Sequence, residues 1–254
     1  MIRISRYLGA YIFLVLIMVF KDTVVVAQNQ AREQPYGNWI MYFGDNKINK
    51  KWGIHSEFQA RNYFIPNTLH QTLIRTGVNY YLGSTSMLTG GYGLIYTEPA
   101  SGEMGTTTLE NRIWEQLILR HRTYNIFLEH RYRLEQRFVD NKTTGQQIFD
   151  NRIRYRLQAL VPFYNISPYL RHYFLAVYNE VFMNLGRELS GQYFDRNRLY
   201  FAVGFQLNPK FNLQFGYLNQ VISLPGGQVP DVNHNFQMSV VYNMDDLTAL
   251  FLNR

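Results

Sequence analysis

The 254-residue sequence predicts an all-β fold: an antiparallel transmembrane β-barrel of ten to twelve strands with short periplasmic turns and longer extracellular loops. Three observations carry that expectation. An apolar leader precedes the rest of the chain, apolar and polar residues then alternate in stretch after stretch, and the intervening connections alternate in length.

Residues 1–27 read as a cleaved export signal. Arg3 and Arg6 form a positive start, Leu8 to Phe20 is apolar throughout, and Val25-Val26-Ala27 offers small residues for cleavage. That apolar run falls short of the roughly 20 residues a spanning helix needs. A bacterial outer-membrane location follows, with a chain beginning near Gln28 and no cysteine to form disulfides.

Residues 28–50 form an N-terminal lead-in in which Trp39-Ile40-Met41-Tyr42-Phe43 is a candidate first strand. It breaks the even count of a barrel with both termini in the periplasm. It either stays a lead-in or pairs with the tail 244–254, where Leu247, Leu250 and Phe251 are apolar, to make twelve. The barrel proper spans 51–243. Its first strand sets Trp52, Ile54, Phe58, Ala60 and Phe64 against His55, Glu57, Gln59 and Arg61. Less regular strands follow at about 68–83, 87–97 and 108–122, the last containing Arg112. Tyr124, Ile126, Leu128, Tyr132, Leu134 and Phe138 then oppose Glu129, Arg131, Arg133, Glu135 and Arg137. Phe149, Ile153, Tyr155 and Leu157 oppose Asp150, Arg152, Arg154 and Arg156. A strand near 168–182 holds Glu180, and Leu199, Phe201, Val203 and Phe205 oppose Arg198, Tyr200, Gly204 and Gln206. Two more, at Phe211–Tyr217 and Phe236–Tyr242, complete ten.

Lysine and arginine are segregated. Lys47, Lys50, Lys51, Lys142 and Lys210 fall in or beside connections, whereas many arginines sit inside strands on the polar face. An arginine facing lipid near the midplane costs roughly 2–4 kcal/mol. Arg152, Arg154 and Arg156 must therefore face inward, and the aromatic stripe outward, with Tyr124, Phe138, Tyr169 and Phe182 toward strand ends. The lumen-lining charges are then Glu57, Arg61, Arg112, Glu129, Arg131, Arg133, Glu135, Arg137, Asp150, Arg152, Arg154, Arg156, Glu180 and Arg198. A register with Glu135 opposite Arg152 and Arg137 opposite Asp150 matches opposite charges. A soluble exported barrel shares the alternation with the faces exchanged. The alternating loops and the aromatic strand ends favour the membrane.

Several stretches resemble an uncharacterised family of bacterial outer-membrane barrels, the domain-of-unknown-function 2490 family. They are Glu110-Asn111-Arg112-Ile113-Trp114-Glu115-Gln116, the run His130 to Phe138, Asn151 to Leu157, Tyr178 to Phe182, Phe194 to Leu207 and Gly216 to Gln220. The resemblance implies fold and location and brings no activity.

Motifs for chemistry are scarce. No His-x-Ser pair occurs, and His70-x-Thr72 and His121-x-Thr123 are weak substitutes for a lipid hydrolase stripe. Gly90-Gly91-x-Gly93 lacks the Lys-Ser/Thr of a phosphate loop and reads as room for neighbouring rings within a strand. The six histidines have no metal-ligand spacing, so no cofactor and no enzyme activity is expected. Export removes nucleic acid as a partner despite the pI near 9.5. Outer-membrane lipid remains, and two function classes stay open. One is a small pore or uptake channel favouring anionic solutes. The other is a closed structural or interaction barrel with a salt-bridged lumen and binding loops.

Overall fold

A computed structural model describes residues 32–33, 36–63, 69–99, 105–185, 193–224, 226 and 228–243. The expected leader and the tail 244–254 lie outside the described residues.

Twelve strands are present: β1 (Arg32–Glu33), β2 (Gly37–Lys47), β3 (Trp52–Tyr63), β4 (Leu69–Tyr81), β5 (Ser86–Thr97) and β6 (Thr108–Thr123). They continue as β7 (Ile126–Asn141), β8 (Gln147–Pro162), β9 (Tyr173–Leu185), β10 (Phe194–Asn208), β11 (Phe211–Ile222) and β12 (Asp231–Asn243). From β2 to β12 each strand pairs antiparallel with the next, and β12 pairs with β2 to close an eleven-stranded barrel. That closing pair is parallel, from Asn235 opposite Gly37 to Asn243 opposite Asp45. The short β1 pairs parallel with the start of β12, at Arg32 opposite Asp231, extending the line of β2.

The Trp39 segment is therefore a barrel strand and not a lead-in, and it closes on β12. An odd strand count places the start of β2 and the end of β12 at opposite rims, whereas an even count would have put both at one. The rest of the ladder tolerates this because each antiparallel neighbour satisfies its own backbone groups, so one parallel seam suffices to remove both edges.

Connections segregate by rim. One rim carries 48–51, 82–85, 124–125, 163–172 and 209–210; at the other lie the facing strand ends Tyr63 and Leu69, Thr97 and Thr108, Asn141 and Gln147, Leu185 and Phe194, and Ile222 and Asp231, which longer stretches of sequence join. Four of the first set are tight. In the hairpin 124–125, Tyr124 adopts φ 53°, the left-handed geometry that a two-residue turn requires. The exception is 163–172, where two single-turn 3-10 helices, Phe163–Asn165 and Pro168–Leu170, delay β9 to Tyr173. The strand expected near 168 starts at Tyr173 instead, because Pro168 occupies the first position of the second 3-10 turn and Ser167 caps it by accepting from the Tyr169 N–H.

The period-two pattern sorts the side chains. Apolar residues such as Ile54, Phe58, Ile74, Val78, Tyr132, Val203 and Phe215 are exposed on the outer wall. Glu57, Arg75, Asn79, Gln116, Glu135, Arg154, Glu180 and Gln237 are buried inside. Polar groups thus form the interior and apolar groups the exterior, the reverse of a soluble fold. The separation is incomplete in both directions, since Glu115 and Gln136 also stand on the outward parity of β6 and β7. Trp39, Met41, Phe174, Ala176, Tyr200, Ala202 and Leu218 make an interior apolar cluster on the β2 and β9–β11 side. Phe182, expected on the outside at a strand end, is only 1% exposed and belongs to the interior.

Candidate functional site

Alongside that apolar cluster, β2 to β4 and β6 to β10 carry an ionic one. Among the described residues, twelve arginines (Arg61, Arg75, Arg112, Arg120, Arg131, Arg133, Arg137, Arg152, Arg154, Arg156, Arg196 and Arg198) meet eight carboxylates. These are Asp45, Glu57, Glu110, Glu129, Glu135, Asp150, Glu180 and Asp195. All fourteen charged residues singled out in the sequence stand on this inward face.

The register explains the geometry. Glu135 lies directly opposite Arg152, and Arg137 opposite Asp150, as the charge pattern suggests. Glu135, with no exposed surface, is the hub. Arg152 Nη2 and Nε donate to it at 2.7 and 3.1 Å, Arg154 Nη1 at 2.7 Å and Arg112 Nη1 at 3.2 Å. Arg75 Nη2 and Arg133 Nη1 lie further away, at 3.5 and 3.9 Å. Five guanidinium groups on β4, β6, β7 and β8 thus converge on one carboxylate.

Two like-charged pairs also sit face to face, Arg131 opposite Arg156 and Arg133 opposite Arg154. Such pairs repel unless each finds another partner. Arg131 donates to Glu180 at 2.6 Å, Arg156 to Glu129 at 2.6 Å, Arg133 to Gln116 Oε1 at 2.7 Å, and Arg154 to both Glu135 and Glu180. Diagonal reach across the sheet resolves what the direct register opposes. Glu110 takes Arg137 Nε at 2.8 Å together with Arg112 Nε at 2.7 Å, and Glu57 takes Arg75 Nη1 at 2.7 Å.

Aromatic rings separate the layers. Trp114, wholly buried, has Arg133 at 4.7 Å and Arg75 at 5.5 Å from its ring, with the His55 ring edge-on at 5.3 Å. Phe182 has Arg154 at 4.3 Å and Arg198 at 4.8 Å, and Trp39 has Arg61 at 4.3 Å and Arg198 at 4.9 Å. These are cation–π distances.

Between these layers and the rim bearing the longer loops lies a cavity of about 70 Å³. Its wall includes Arg61, Arg75, Arg112, Arg137, Arg152, Arg154, Arg196 and Arg198, with Glu110 as its one acidic residue. Arg61 donates to Gln59 Oε1 at 3.0 Å and Gln71 Oε1 at 2.6 Å, and Arg198 to Gln220 Oε1 at 2.8 Å. Neither has a carboxylate within ion-pair distance among the described residues.

Sequence reasoning missed Arg75, Arg120, Asp45, Asp195 and Arg196 as interior charges. Arg75 was legible, since Gln71, Leu73, Arg75, Gly77 and Asn79 share one parity in β4. Arg196 was legible too, sharing its parity with Arg198, but Asp195 was not, because the register shifts between Phe194 and Arg196 and turns Asp195 inward against the alternation.

Fold and site together define a closed all-β barrel with an ionic, arginine-rich interior and an apolar outer wall. The family model described as protein of unknown function (DUF2490) matches residues 36–230, and the chain belongs to that family. Neither the curated proteins nor the solved structures compared with it give a match.

Proposed function

We propose that the protein is an integral β-barrel of the bacterial outer membrane whose midsection is closed to solute flow and whose longer-loop rim opens onto an arginine-lined basin. The observation that carries this reading is the inverted sorting of side chains: charges fill the inside while the outer wall is apolar. A wall of that kind is stable in lipid and poorly so in water. The closed midsection is supported by Asn79, Trp114, Glu135, Phe174, Tyr200 and Leu218, which belong to β4, β6, β7, β9, β10 and β11 and are all fully buried. The reading places the tight-turn rim in the periplasm and assigns no catalytic step, cofactor or nucleic-acid partner.

An open anion-selective pore is the second reading, favoured by the excess of interior arginine. Planar-bilayer recording on the purified barrel separates the two. The closed reading expects no unitary current at any voltage; steady anion-selective steps abolished by Arg152→Gln with Arg154→Gln would establish the pore instead. Heat-modifiable migration on a gel, with detergent needed for solubility, is expected in either case.

A further inference from the structure

We propose that the cavity at the longer-loop rim is a binding site for a phosphoryl oxyanion, either free phosphate or a phosphate monoester. The inference deepens the closed-barrel reading by naming the class of ligand its basin takes. The charge balance points there first. Among the described residues twelve arginines of this lattice face eight carboxylates, and the surplus is concentrated at this cavity, where Arg61 and Arg198 have no carboxylate within ion-pair distance. Burying unpaired cations is costly unless a counter-charge enters with them.

Donor geometry points the same way. Arg75 is 2% exposed, lines the cavity, leaves Nε without a hydrogen-bond acceptor, and has at Nη2 only the 3.5 Å ion-pair approach to Glu135. An unsatisfied buried donor is disfavoured, and a guanidinium edge is shaped to meet two oxygens of one phosphate. The 70 Å³ cavity is well above the roughly 10–15 Å³ that a single water needs, so a small polyatomic anion is not excluded by size. Arg137 and Arg196, with side chains 20% and 23% exposed, remain in reach of solvent and give an entering anion its first contacts. Glutamine partners on Arg61 and Arg198 leave those cations their full charge, as a site for an external anion requires.

The test is calorimetric titration of the full-length barrel in detergent with sodium phosphate, against sodium chloride at matched ionic strength. Saturable binding near one phosphate per barrel is expected, with chloride giving none. R61Q with R198Q, which lowers the charge surplus and so favours folding, should weaken binding by about tenfold or more. R61K with R198K keeps the charge but loses the two-pronged contact, and should fall between. Heat-modifiable migration identifies folded variants. Tighter binding of glycerol phosphate than of orthophosphate would mark the carried ester as ligand, and the reverse order the free ion. No saturable binding, or unchanged affinity in the folded R61Q/R198Q barrel, overturns the site. A barrel that conducts yet binds phosphate would remove the closed reading alone.

Discussion

Arginine and glutamate inside this barrel hold one another in a lattice, so each substitution reads on several partners. Converting Glu135 to Gln leaves five guanidinium groups around a neutral amide. Removing one partner of a buried pair costs about 3–5 kcal/mol, and equilibrium urea unfolding in detergent should show a loss of that order. A double-mutant cycle on Glu135 and Arg152 should give a coupling of roughly 1–3 kcal/mol. The cycle on Arg137 and Asp150, whose side chains are 20% and 15% exposed, should give less than about 1 kcal/mol. Equal couplings would contradict the graded burial described here. The β7–β8 register was legible because charges of both signs occupy successive inward positions in two adjacent strands. The inward placement of Phe182 was not, because an aromatic at a strand end fits a lipid-facing girdle and an arginine stack equally well.

Strands β4 and β5 show how one residue of parity decides what a position tolerates. Gly77 and Gly91 face each other across the ladder and make room for the Trp114 indole. A Cβ on Gly91 would run into the Thr76 carbonyl oxygen and lie 2.8 Å from Trp114 Cζ2, while one on neighbouring Gly90 meets nothing within 4 Å. Gly91→Ala should therefore cost about 1–3 kcal/mol through overpacking, and Gly90→Ala should stay within about 0.5 kcal/mol. Urea midpoints of the two variants check this, and a reversed order would place the Gly91 face outside. That glycines in this strand leave space for a ring was readable from the sequence. Which ring was not, since Trp114 arrives from β6 by the pairing of Gly91 with Trp114. A groove opens on the outer wall before Gly90, Glu115, Tyr132 and Ile153. Glu115 is an acidic residue on that otherwise apolar surface, and it accepts from Gln136 Nε2 at 3.3 Å.

Closure through a parallel seam governs the whole molecule. The alternation in β3 to β12 predicts strands and faces, but pairing between the first and last strands depends on contacts some 200 residues apart, which period and turn signals do not encode. A cysteine-free chain allows a direct check. Ile40→Cys with Met238→Cys, directly opposed across the seam, should cross-link on oxidation, whereas Phe58→Cys with Met238→Cys should not. A cross-link in the second pair alone would mean a ten-stranded barrel closing on β3. The central claim is that the apolar wall meets lipid while the polar face is turned inward. Spin labels at single cysteines from Asn212 to Tyr217 of β11, in protein reconstituted into phospholipid vesicles, test it most directly. Labels at Leu213, Phe215 and Tyr217 should collide with oxygen dissolved in the bilayer and be shielded from an aqueous nickel complex, while those at Asn212, Gln214 and Gly216 should be immobile and shielded from oxygen. Free access of the nickel complex to Leu213, Phe215 and Tyr217 would contradict the account.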